Sequence, residues 1–220
     1  MKAAEAAGLS PPNCWLSEDL KTFVIERFDY QDGEKLGFED FSVLTGQDKY
    51  RGSYETLLKA IEIYTKSPDE IQKGYEYIVF NCLIGNGDAH LKNFAVQYTK
   101  ERDSITLTPP YDITHTLIYP TIDKKMALKM AGAKSFPNKD ALIKLGKTAK
   151  IKGAEEIIER VADSISDYTK DSDKISLIKE LKGSIESALS MACSSTVSKA
   201  TYRHDKRRKY DSNNKSGLAK

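Results

Sequence analysis

The segment SPDEIQKGYEYIVFNCLIG, residues 67–85, constrains this chain more tightly than any other. Ser67 can cap a helix, Pro68 suits its first position, Asp69 and Glu70 sit near its positive end, and Glu70 three residues after Ser67 completes a capping-box pattern. Ile71, Tyr75, Ile78, Val79, Cys82 and Leu83 then recur at helical spacing over a wide face, which predicts a helix buried in the core and stopped at Gly85. Immediately beyond the stop come NGDAHLKN and a strand-like FAVQY. A rigid core helix that delivers a short, densely polar loop is the arrangement in which functional side chains are held by a scaffold.

The neighbouring segments set that loop in order. KAAEAAGL reads as a helix end closed by Gly8, and NCWLSEDLKTFVIERFDY reads as two strands around Phe23, Val24 and Ile25 before a QDG turn. Two strands alone do not make a stable sheet, so companions are expected from upstream or elsewhere. Tyr54 to Tyr64, with Leu57, Leu58 and Ile61 on one side, predicts another core-facing helix. FAVQY and ITLTP predict a hairpin across TKERDS, followed by PPYDITHT. After Lys139 the periodicity of ALIKLGKTA, GAEEIIERVADSISDY and ISLIKELKGSIESALSMA predicts an amphipathic helical bundle.

Composition removes several classes. At 40% hydrophobic and 30% charged residues, with mean hydropathy -0.51, the chain has the balance of a globular protein. Its most apolar stretch, around Ile78 to Ile84, is too short to span a bilayer, and MKAAEAAGLS has no secretory apolar core, so a cytoplasmic location and no membrane partner are expected. Cys14, Cys82 and Cys193 are odd in number and far apart, which favours free thiols. Residues 194–220 carry a balance of +6 within a whole-chain charge of +2, leaving a body of -4; this basic stretch reads as a disordered tail rather than a nucleic-acid contact.

The polar loop has the spacing that phosphoryl transfer requires. That chemistry needs a carboxylate to receive the acceptor's proton, and an amide oxygen with a second carboxylate to hold magnesium on the nucleotide phosphates. Asp88 and Asn93 stand as D-x-x-x-x-N, Lys92 lies between them where it can neutralise developing charge, and Asp112 follows the hairpin as candidate second ligand. With 17 Asp and 7 Asn in the chain, about half a match at any one offset arises by chance, so the order of helix, loop, hairpin and Asp carries the argument. His90 is expected to brace the loop by hydrogen bonding, and Gly85 and Gly87 either form a phosphate nest or permit the bend after the helix.

These segments resemble the catalytic and metal-binding parts of the HipA-like serine/threonine kinases, the toxins of bacterial toxin-antitoxin modules. The resemblance rests on NCLIGNGDAHLKNFAVQY and LTPPYDIT, with FVIERFDY similar to the family hinge and KMALKMAGAKSF to a segment after the metal site; it runs from about Met1 to Ala192. It implies ATP and Mg2+ as cofactors, Asp88 as base, Asn93 and Asp112 as magnesium ligands, Glu26 and Phe28 as backbone contacts to adenine, and Asp29 near the ribose. It also implies a protein substrate, an antitoxin partner, and DNA contact only through that antitoxin. The family's glycine-rich loop and strand lysine have no counterpart in these residues, so a complementing N-lobe segment is expected as a partner, and this chain alone as incomplete in activity.

The expected fold is therefore α+β, a mainly α-helical kinase-like C-lobe with a short β remnant of the N-lobe and a catalytic-loop hairpin. Residues 1–35 would be that remnant with the hinge, 36–193 the helical lobe, and 194–220 the tail. Two other functions compete. GDAHLKN is close to the loop of small-molecule phosphotransferases of the aminoglycoside-kinase type, and DAH with DITH offers Asp88, His90, Asp112 and His115 to a metal-dependent hydrolase.

Overall fold

In a computed structural model that describes residues 1–101 and 104–194, the chain starts with α1 (Lys2–Ala6), closed as its sequence suggests by Gly8 at φ 82°. The expected basic tail lies, from residue 195, outside the described residues. β1 (Cys14–Leu16) and β2 (Phe23–Ile25) pair antiparallel, with Trp15 opposite Val24. β3 (Tyr30–Gln31) and β4 (Glu34–Lys35) form a second hairpin whose two-residue turn, Asp32 and Gly33, has positive φ at both positions. Among the described residues neither pair has a third strand, and Trp15, Phe23 and Val24 are each at least half exposed.

β5 (Gly37–Asp40) opens the one larger sheet among the described residues. It pairs with β6 (Ala95–Tyr98), which pairs in turn with β7 (Ile105–Leu107), both antiparallel. The hairpin read from sequence is β6 and β7; β5 is hidden because GFED lacks apolar alternation. Its glycine is required, since a Cβ at Gly37 would lie 2.1 Å from the Tyr98 ring.

Three capped helices follow. Asp40 caps α2 (Phe41–Thr45) and Ser53 caps α3 (Tyr54–Thr65). Ser67 caps α4 (Pro68–Leu83) by accepting the Glu70 N–H, but the reciprocal half of the expected capping box is not made. Glu70 is instead buried, pairing with Lys73 at 2.6 Å and accepting the Leu107 N–H at 2.7 Å. A carboxylate bond to a strand amide that has no ladder partner on that side is stronger than a bond to a solvated helix end, so the sheet takes the side chain.

α5 (Lys139–Thr148), α6 (Ala154–Asp171), α7 (Asp173–Ser176) and α8 (Leu181–Cys193) supply the helical half, with α6 packed against α1, α4, α5 and α8. The continuous helix expected from Ile175 onward is broken, because Glu180 adopts φ 69° and α8 starts after it. Tyr54, Tyr75, Phe80, Leu128 and Ile165 are fully or almost fully buried in one core that the helices and the larger sheet share. The architecture is α+β and mainly helical. All three cysteines are unpaired, and among the described residues no helix is long and apolar enough to cross a membrane.

Candidate active site

Helix α4 carries the site at its C-terminal end. Asn81, in the last turn, donates from Nδ2 to the Tyr77 carbonyl (2.9 Å), and its Oδ1 accepts from Asn86 Nδ2 (2.7 Å). Asn86 Oδ1 in turn accepts the Asp88 N–H (3.0 Å) and the Thr114 hydroxyl (3.1 Å). Both asparagines are buried, so these bonds form in a low-dielectric interior where each unmet partner would be costly. From α3, the Tyr54 hydroxyl donates to the Ala89 carbonyl at 3.0 Å.

The two glycines serve the bend. Gly85 has φ 73°, while the Gly87 N–H is bonded to Thr116 Oγ1 at 2.8 Å and so does not point into an anion nest. A Cβ on Gly87 would lie 2.6 Å from the Lys125 carbonyl oxygen, which excludes any larger residue from this close approach.

Asp88 emerges exposed, its Oδ1 accepting the Tyr50 hydroxyl at 3.2 Å. The chain then makes one 3-10 turn, Leu91–Asn93, in which Asn93 Oδ1 accepts the His90 N–H at 3.0 Å. Buried Asn93 reaches across with Nδ2 to Asp112 Oδ2 at 2.6 Å. Residues 19 positions apart thus meet directly. Asp112 has φ 52°, a left-handed conformation that costs a non-glycine residue about 1–2 kcal/mol and has to be held by its surroundings. Two tyrosines hold it: the Tyr77 hydroxyl donates to the Tyr111 carbonyl (2.6 Å), and the Tyr111 hydroxyl donates to the Lys92 carbonyl (2.5 Å). Burial pushes both phenols well above their ordinary range, so they remain protonated donors.

The other expected site residues are placed less simply. The Lys92 side chain is exposed beside the loop. Phe28 stacks on the Tyr111 ring at 5.3 Å, linking the strand that leaves β2 to the Asp112 segment. The Glu26 N–H is committed to the Asn13 carbonyl and its Oε2 to Asn13 Nδ2 (2.6 Å). The Asp29 carboxylate, expected near a ribose, is held at both oxygens by Arg27 (2.9 and 2.5 Å), which lowers its pKa; Arg27 itself lies over Tyr30.

The histidines also differ from expectation. His90 braces the loop through its main chain, while its ring meets Tyr50 edge-on and leaves Nδ1 buried with no protein partner. Burial lowers its pKa against the opposing pull of Asp88 and Asp112. His115 Nδ1 faces the Ile84 carbonyl (2.5 Å) and Nε2 the Ser184 hydroxyl (2.7 Å), a pairing met by the neutral Nδ1–H tautomer. Both its ring nitrogens are engaged, which removes His115 from the ligand set a hydrolase would need.

The remaining donors suit a hard cation shared with a nucleotide. Magnesium is bound through one or two carboxylates together with substrate phosphates; Asp112 is such a carboxylate, and Asn93, whose Nδ2 faces Asp112 while its Oδ1 faces the His90 N–H, would add its amide oxygen once the side-chain amide turns. Among the described residues no group of three or more His, Cys, Asp or Glu could hold a metal ion without such help.

The model of the HipA-like C-terminal domain family matches residues 1–169. The chain belongs to this family. Among similar sequences, the protein of Sinorhizobium fredii named "Putative kinase Y4dM" is 32% identical over 152 residues, covering 64% of this chain and 37% of that protein. A second from the same organism, "Putative kinase Y4mE", is 25% identical over 205 residues, covering 80% and 48%. The chain therefore spans less than half the length of either relative. Among solved structures, the HipA of Shewanella oneidensis, determined with HipB and operator DNA, superposes with a TM-score of 0.68 at 18% identity over 86% of this chain and 53% of that one. The Helicobacter pylori proinflammatory kinase CtkA gives 0.56 at 15% over 86% and 78%. At these identities the structural likeness speaks for a HipA-like fold alone.

Sequence reasoning missed the supports of the HipA-like loop. Tyr50, Tyr77, Asn81, Asn86, Tyr111 and Thr116 all hold it, and only Asn81 carried a signal, as an amide interrupting an apolar helix face.

Proposed function

We propose that this chain is the catalytic lobe of an ATP-dependent kinase that transfers the γ-phosphoryl group to a protein Ser or Thr in the cytoplasm, as part of a toxin-antitoxin pair. The observation that carries this reading is the meeting of Asn93 with Asp112 on the loop that presents Asp88. In this scheme Asp88 is oriented by the Tyr50 hydroxyl and accepts the proton of the attacking hydroxyl. Asn93 and Asp112 would hold Mg2+, which when bound would neutralise the β- and γ-phosphate charge. Lys92, exposed beside them, adds positive charge where the transferred group becomes more negative. Phe28, its ring stacked on Tyr111, would offer backbone groups to adenine, whereas Asp29 must exchange Arg27 for a ribose hydroxyl to fill its expected role.

The exposed Trp15 and Val24 of the β1–β2 pair form the seat for the phosphate-gripping lobe, and an antitoxin is the regulator. That solved HipA was determined together with HipB supports this choice of partner. Small-molecule phosphotransfer is the runner-up, favoured only by the loop spacing.

Binding of a fluorescent ATP analogue tests the reading. Binding that needs Mg2+ and falls at least about tenfold in Asp112→Ala and Asn93→Ala is expected, the ratio that loss of one charge-assisted contact produces. Magnesium-independent binding, unchanged in both variants, would sink it.

A further inference from the structure

Asp88 also lines a cleft of about 1070 Å3 that the kinase scheme leaves unassigned. One wall belongs to residues 113–127. Its loop is folded on itself by Lys124, whose Nζ donates to the Leu117 carbonyl (2.5 Å) and the Tyr119 carbonyl (2.7 Å). Ile178 and Leu181, where α7 gives way to α8, also line it. Ile122 and Ile178 are both 46% exposed although each faces this cleft, and Met126 beneath is buried. Exposed aliphatic side chains gathered around a candidate base are unexpected for a cleft that holds only water.

We propose that this cleft receives the acceptor polypeptide: an extended segment whose Ser or Thr hydroxyl meets Asp88 and whose neighbouring large aliphatic or aromatic side chain packs against Ile122 and Ile178. The inference rests on the kinase reading and selects between its two acceptor classes. A polycationic sugar acceptor needs several carboxylates. Besides Asp88 the cleft offers Asp123, which is already paired with Lys125 at 3.0 Å, and Lys134 adds further positive charge. The volume also exceeds the usual upper range of small-ligand pockets, about 1000 Å3, and the apolar walls suit a hydrophobic anchor. An acidic residue elsewhere in the acceptor segment is favoured on the lysine side.

The full chain, fluorescently labelled, is applied without nucleotide to an array of short Ser- and Thr-centred peptides in which each flanking position is varied. Retained peptides are expected to carry Leu, Ile, Met or Phe beside the hydroxyl residue. Ile122→Asp and, separately, Ile178→Asp should each lower retention about tenfold or more, while the melting temperature and ATP-analogue binding stay at their wild-type values. Two variants on different segments keep a folding failure in either from deciding the matter. No retention, retention without apolar preference, unchanged retention in folded variants, or displacement of peptides by kanamycin would each overturn the proposal. Nucleotide binding that is independent of Mg2+ and unchanged in Asp112→Ala and Asn93→Ala, by contrast, refutes the kinase reading and is measured separately.

Discussion

Replacing Asn86 by Ala should loosen the whole polar loop, and its cost can be worked out from three hydrogen bonds. Asn81 Oδ1, on a fully buried residue, would lose its only side-chain donor, leaving an unmet acceptor worth about 1–3 kcal/mol. The Asp88 N–H and the Thr114 hydroxyl would lose their shared acceptor, but both border solvent and water can replace part of it, so each adds about 0.5–1 kcal/mol. The sum is about 2–5 kcal/mol, which for a domain of this size lowers the melting temperature by about 4–20 °C. Urea unfolding of Asn86→Ala, Asn81→Ala and the double variant provides the assay. Because the Asn81 to Asn86 bond is broken in all three, the double variant should be less destabilised than the two singles together by about 1–2 kcal/mol. Additivity within about 0.5 kcal/mol would refute the claim that these amides form one unit that anchors the Asp88 turn.

Other perturbations give distinct readouts. Gly87→Ala forces the loop away from the Lys125 carbonyl and should cost about 1–3 kcal/mol while weakening Mg2+-dependent nucleotide binding, measured by urea unfolding and analogue titration. Glu70→Ala leaves the Leu107 N–H without its acceptor and should cost about 1–3 kcal/mol, whereas Glu70→Gln should recover much of that in thermal melts. His115 has its pKa lowered chiefly by burial, so its contribution to stability is complete above about 6.5, where the unfolded chain is neutral, and is lost as pH falls through the folded-state value. His115→Gln should flatten that part of the melting-temperature profile; a profile identical to wild type below pH 6.5 counts against a neutral buried imidazole. Tyr111→Phe keeps the stack on Phe28 but frees the Lys92 carbonyl, so a small stability loss of about 1 kcal/mol with a larger loss of nucleotide binding is expected by paired unfolding and binding titrations.

Local signals made much of this molecule legible. Ser67, Pro68 and the apolar spacing through Leu83 specify α4 because cap and periodicity act within a few residues, and Gly85 marks its end for the same reason. Asn93 and Asp112 could be paired before any coordinates because the order of loop and hairpin brings the chain back. What stayed hidden depended on partners distant in sequence. β5 is a strand only because β6 supplies its ladder, and Glu70 leaves the helix cap only because Leu107 arrives from 37 residues away. The Arg27 to Asp29 pair is local, two positions apart, and competes directly with the ribose contact that a hinge-like segment implies for Asp29. Tyr77, Asn81 and Tyr111 look like core side chains in a string of letters, and only their polar ends, aimed at the loop, reveal their task.

The Tyr77 bond to the Tyr111 peptide and the Asn81 bond to Asn86 leave the same helix one turn apart. The two halves of the candidate metal grip are thereby bolted to a common bedplate, and a tilt of α4 carries both without changing the gap between them. Cutting the Asn81 link loosens the side with Asp88 from α4, and cutting the Tyr77 link leaves Asp112 held only through Asn93 and the Tyr111 bond to Lys92. The spacing of the candidate grip is thereby set inside this chain, by α4 and the bonds that leave it.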